Sequence, residues 1–128
     1  MRLQSPLGRV LGLGSAKSGY AHWWGQRLSA AALVPLGLWF MFGVLGLSGD
    51  KYLTAVAWVG EPMHAILLIL FLATLLYHSN LGMQMVLEDY IHHGPTKVIS
   101  LVFVKFAHAA LAVAGIYSVF SLSFGGQA

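Results

Sequence analysis

The side chains best suited to chemistry gather in one segment: His78 stands deep in an apolar run, and Asp89 and Tyr90 stand where that run ends. An imidazole in hydrocarbon is costly unless a metal or a polar partner compensates it, which makes an intramembrane histidine a functional candidate. At about 100° per residue, His78, Gly82, Met85 and Asp89 fall within about 60° of one another on one helix face, which Phe71 and His64 extend toward the other end. Gly82 removes side-chain bulk one turn from His78, where a flat ligand would approach the backbone. A neutral imidazole with space beside it is what a heme iron needs. The same spacing equally suits a histidine hydrogen-bonded to a neighbouring helix, with Gly82 as a packing contact.

Asp89 lies eleven residues beyond His78, about 16 Å along a helix at 1.5 Å per residue. Tyr90 beside it carries a phenolic donor, and a membrane quinone needs a donor to each carbonyl and a proton source when it is reduced. An interfacial tyrosine next to a helix-end acid accounts for the pair as well.

These residues require elements that cross a bilayer. Hydrophobic residues make up 58% of the 128 and charged residues 9%, with a mean hydropathy of +0.75, outside the balance of a soluble domain. A hydrocarbon core of about 30 Å takes roughly 20 apolar residues in helix. Three stretches meet that length, at about 28–49, 62–90 and 97–122. The first carries no charge, and Lys105 is the one charge in the body of the third. The expected fold is therefore an all-α membrane protein of three transmembrane helices, a single domain over 1–128 with short connections. Pro35 should kink the first helix, and Gly94-Pro95 separates the second from the third.

Arg2, Arg9, Lys17 and Arg27 precede the first span, Lys51 lies beside Asp50 in the first connection, Lys97 lies in the second, and no cation follows the third. By the positive-inside bias the N-terminus is inside and the C-terminus outside. The net charge of +3 then reflects topology and anionic lipid, and so few cations make no case for nucleic-acid binding. The first twenty residues, basic and rich in Gly and Ser, loosely resemble a transit peptide and lack the pattern of a signal peptide. With no cysteine, the chain holds no iron–sulfur cluster, disulfide or thiol nucleophile.

Other polar residues compete. His108, one turn from Lys105 in the third span, is a rival ligand or a polar contact to a neighbouring helix. Lys105 can snorkel. His92 and His93 follow Tyr90 and suit proton exchange or plain solvation, and His64 reads as solvated near the outer surface. His22, Trp23 and Trp24 read first as an interfacial anchor, and Met83 and Met85 as packing.

The run from His78 through Gly82, Gln84 and Val86 to Asp89-Tyr90 resembles the signature of the D-type hydrophobic membrane-anchor subunit of succinate dehydrogenase, respiratory complex II. Ser18-Gly19-Tyr20-Ala21-His22-Trp23-Trp24-Gly25-Gln26-Arg27-Leu28-Ser29-Ala30 is similar to that family's approach to its first helix, and the likeness extends from about Ser18 to Phe120. The resemblance implies a chain that is not catalytic alone, pairing with a second, C-type anchor subunit to hold one heme b. His78 would be its axial ligand to the heme iron, and Arg27 the partner of the heme propionates. Tyr90 would hydrogen-bond ubiquinone, supported by Asp89. Succinate oxidation belongs to a flavoprotein subunit, and electrons arrive through an iron–sulfur subunit. The bacterial plasma membrane is the expected location, with the mitochondrial inner membrane as the alternative. The anchor of a quinol:fumarate reductase, a heme-free structural membrane subunit and a small transporter subunit remain open readings of the same spans.

Overall fold

The structure, a computed structural model, describes residues 17–49 and 51–125. Arg2, Arg9 and Asp50 lie outside the described residues, as does most of the transit-like segment. Four helices follow one another: α1 (Lys17–Leu45), α2 (Lys51–Gly60), α3 (Pro62–Tyr90) and α4 (Gly94–Gly125). Three of them are long and apolar enough to cross a membrane, in agreement with the expected fold.

α1 begins eleven residues before the expected charge-free span and ends four before it. A charge at the lipid surface does not stop a helix, so Arg27 and the two tryptophans belong to the interfacial turns of α1 rather than to a linker. The helix runs through Pro35. It stops in Gly46-Leu47-Ser48-Gly49, where Gly49 takes a φ of +90° that only glycine adopts without strain.

The first connection holds a helix the spans did not anticipate. α2 has 10 residues, about 15 Å at 1.5 Å per residue and half a hydrocarbon core. It lies against α3 and α4, and its Trp58 stacks on Trp39 of α1 and on His64 of α3 at ring-centroid distances of 5.3 and 4.6 Å, with Trp39 and His64 themselves 5.9 Å apart. His64 is consequently half-buried rather than solvated. Its Nδ1–H points at the Trp58 carbonyl at 3.0 Å and the Glu61 carboxylate at 2.9 Å.

α3 starts with Pro62 in its first turn, where the missing N–H costs nothing. It packs against α1 on one side and α4 on the other. Among the described residues only Ser29, Ala65, Leu68 and Leu81 are buried. Such sparse burial suits a bundle whose outer faces meet lipid and other helices, because lipid tails satisfy an apolar side chain as well as a protein core does. At the far end of α3, Lys97 Nζ donates to the Glu88 carbonyl at 3.0 Å, placing a cation on the negative end of the helix dipole.

Candidate functional site

The face of α3 that carries His78, Gly82 and Met85 lies against α1. Gly25 permits the approach: a Cβ there would stand 2.6 Å from the Tyr77 hydroxyl and 3.3 Å from Leu81 Cδ1. Next along α1 is Ser29, 6% exposed, whose Oγ is 3.0 Å from His78 Nδ1. Ser29 Oγ also lies 2.6 Å from the Gly25 carbonyl and 3.1 Å from the Gln26 carbonyl. Carbonyls only accept, and a hydroxyl has one proton, so the Ser29 proton goes to its closest acceptor, Gly25. Toward His78 the same oxygen accepts, and the Nδ1–H of the imidazole donates to it. Nε2 of the half-buried His78 keeps its lone pair, with no hydrogen-bond partner among the described residues.

His108 is arranged differently. Its Nδ1–H donates to the Val104 carbonyl at 2.8 Å. Its Nε2, the acceptor of a neutral ring, takes the proton of Ser79 Oγ at 3.1 Å. Both nitrogens are used, and the ring ties α4 to α3. Between the two histidines deep inside the spans, His78 and His108, only His78 retains a free ring nitrogen among the described residues. That distinction turns on partners 49 and 29 residues away in the chain, which spacing alone does not reveal.

Beside Gly82 lies Gln26, whose Nε2 would be 3.8 Å from a Cβ at that glycine. The room that Gly82 leaves is thus shared with an amide of α1, whose Oε1 is buried without a hydrogen-bond partner. A groove of about 450 Å³ opens below it, lined by Gly19, His22, Trp23, Gln26, Met85 and Glu88. It brings the N-terminal end of α1 to the C-terminal end of α3, so Arg27, Asp89 and Tyr90 occupy the same half of the molecule. The sequence alone gives Gln26 no role, its one signal being a polar residue next to Arg27.

Arg27 is not brought onto His78. It stands two residues before Ser29, about 200° around α1 at 100° per residue, and its guanidinium lies 5.4 Å from the Trp23 ring centroid. It lies ~3 Å along α1 from Ser29, on a different face of that helix from the one that meets His78. Asp89 is exposed and Tyr90 is 81% exposed. Arg27, Asp89 and Tyr90 have no ion pair or hydrogen bond to another side chain among the described residues. Three polar groups in one half of an apolar bundle therefore lack a polar side-chain partner among the described residues and can meet a ligand or another chain. No group of three or more His, Asp or Glu among the described residues could hold a metal ion.

A family model described as the succinate dehydrogenase/fumarate reductase transmembrane subunit matches residues 1–120. The chain is similar to the succinate dehydrogenase hydrophobic membrane anchor subunit of Rickettsia bellii, 37% identical over 84% of this chain and 86% of the relative. It is similar to the protein of the same description from Paracoccus denitrificans, 33% identical over 98% and 96%. The succinate dehydrogenase membrane anchor subunit of Reclinomonas americana is 30% identical over 70% and 77%. No solved structure matches the chain.

Proposed function

This chain belongs to the succinate dehydrogenase/fumarate reductase transmembrane subunit family, as a hydrophobic membrane anchor, and on that premise we propose that it helps hold a heme b and completes a ubiquinone site. It is a multi-pass protein of the bacterial inner membrane and associates with the other subunits of its complex. The observation that carries the reading is the free Nε2 of His78, half-buried beside a fixed hydrogen bond on Nδ1. A neutral imidazole with one nitrogen committed and the other open is the form in which histidine binds iron.

His78 would hold the heme iron through Nε2, and a further ligand would come from a C-type anchor subunit, since His108 has both nitrogens engaged. When bound, the heme supplies a one-electron carrier inside the hydrocarbon. Arg27, which rests over the Trp23 ring and has no ion pair among the described residues, would meet a propionate with its guanidinium, whose planar fork matches a carboxylate. Tyr90 donates its phenolic proton to a quinone carbonyl as negative charge builds there, and Asp89 exchanges protons with water beside it. Both lie on the inner side under the Lys/Arg bias, where an iron–sulfur subunit delivers electrons taken from succinate by a flavoprotein subunit.

The test is His78→Leu in the assembled complex. The low-spin b-type spectrum should be lost or converted to a high-spin form. An unchanged low-spin spectrum would remove His78 from the site.

A further inference from the structure

We propose that Ser29 is the positioning residue that prepares His78 for iron: its hydroxyl accepts the Nδ1–H bond and so holds the ring in the tautomer whose lone pair sits on Nε2. The inference rests on the assignment of His78 as an axial ligand and adds a residue of a different helix to it.

Three features support the role. Ser29 is 6% exposed, so water does not compete for the bond. Its proton is held by the Gly25 carbonyl at 2.6 Å, which fixes the rotation of the hydroxyl, leaves a lone pair toward His78 at 3.0 Å and polarises the oxygen that accepts. Gly25 in turn leaves no room for a Cβ against Tyr77 and Leu81, so the distance between Ser29 and His78 is set beside a close contact of the two helices. His108 is the internal contrast. It has the same Nδ1–H tautomer, bonded to its own helix, but spends Nε2 on Ser79. A serine on the Nε2 side closes a histidine to metal, and a serine on the Nδ1 side leaves it open.

The consequence for a bound heme is electronic as well as geometric. An acceptor on Nδ1–H makes the imidazole more basic, which stabilises the ferric state over the ferrous one. Losing that acceptor should raise the midpoint potential, let the ring rotate, and reduce heme retention by about 10–100-fold, the range found for outer-shell partners of metal ligands. Each tenfold change in the ferric-to-ferrous affinity ratio reads as ~59 mV in a one-electron couple.

The experiment uses the purified complex carrying Ser29→Ala, Ser29→Thr, Ser29→Val or His78→Leu. Heme potential, the ferric low-spin electron paramagnetic resonance signal and heme retention are measured for each. Thr and Val share a shape and differ in the hydroxyl. Ala and Val should raise the potential and shift the largest g value, while Thr stays near wild type. Wild-type potential and g values in Ser29→Ala would overturn the proposal, as would a Thr variant that behaves like Val, because shape would then be the cause. If His78→Leu loses the low-spin signal while Ser29→Ala leaves it unmoved, Ser29 alone is rejected. If His78→Leu keeps the signal, the axial assignment falls and Ser29 with it.

Discussion

Replacing His108 with leucine should leave the heme in place and cost the bundle little. The Nδ1–H bond to Val104 lies within α4, and the Val104 carbonyl keeps its ordinary helical partner, the backbone N–H of residue 108, when the ring is gone. The loss is then the single bond between α3 and α4, Ser79 Oγ to His108 Nε2 at 3.1 Å. Interhelical hydrogen bonds in membranes average about 0.6 kcal/mol and reach about 1.7. The orphaned Ser79 hydroxyl can fall back on the carbonyl four residues earlier, as Ser29, Thr74 and Ser118 do. The lower figure therefore applies, roughly a threefold change in the folding equilibrium. His108→Gln, whose amide oxygen can accept from Ser79, should recover part of it. The assay pairs heme content and the reduced-minus-oxidised spectrum with the thermal midpoint of the detergent-solubilised complex, for His108→Leu, Ser79→Ala and the double variant. The two single variants should each equal the double, since they remove the same bond. Loss of the low-spin spectrum in His108→Leu with retention in His78→Leu would refute the reasoning and make His108 the ligand.

Tyr90→Phe keeps the ring and removes the phenolic donor, whose bond to a neutral partner is worth about 0.5–1.5 kcal/mol. Quinone reduction should fall while succinate oxidation with a soluble artificial acceptor holds, and equal quinone reduction at limiting and saturating quinone would return Tyr90 to the interface. Gly43→Ala tests the packing of α2. A Cβ there would stand 2.6 Å from Trp58 Cζ2, and the indole is held by its stacks on Trp39 and His64, each worth roughly 0.5–1.5 kcal/mol. Alanine's helical advantage of about 1 kcal/mol should be outweighed, lowering the thermal midpoint and altering the tryptophan near-ultraviolet circular dichroism. Gly19→Ala, with nothing within 4 Å of its Cβ, is the control, and a Gly43→Ala protein as stable as that control would rule out the contact.

The sequence by itself determined the three crossings, because a long run of apolar residues has one stable fate in a bilayer and its length can be counted. It also isolated His78 as a polar residue in hydrocarbon, and Asp89 and Tyr90 as the polar end of the same helix. What it left open was which histidine is free. His78 and His108 look alike in their spans, and the difference lies in Ser29 and Ser79, which meet them only after α1, α3 and α4 have taken their rotations about one another. Those rotations are not written in the pattern of these helices. Outside the polar face of α3 they are apolar nearly all round, so no stripe fixes the faces of α1 and α4, and small contacts such as Gly25 against Tyr77 decide them. For the same reason tertiary packing alone set Arg27 on a different face from His78 and put Gln26 beside Gly82. It likewise turned the apolar connection 51–60, too short to cross, into a helix held by the contacts of Trp58 with Trp39 and His64.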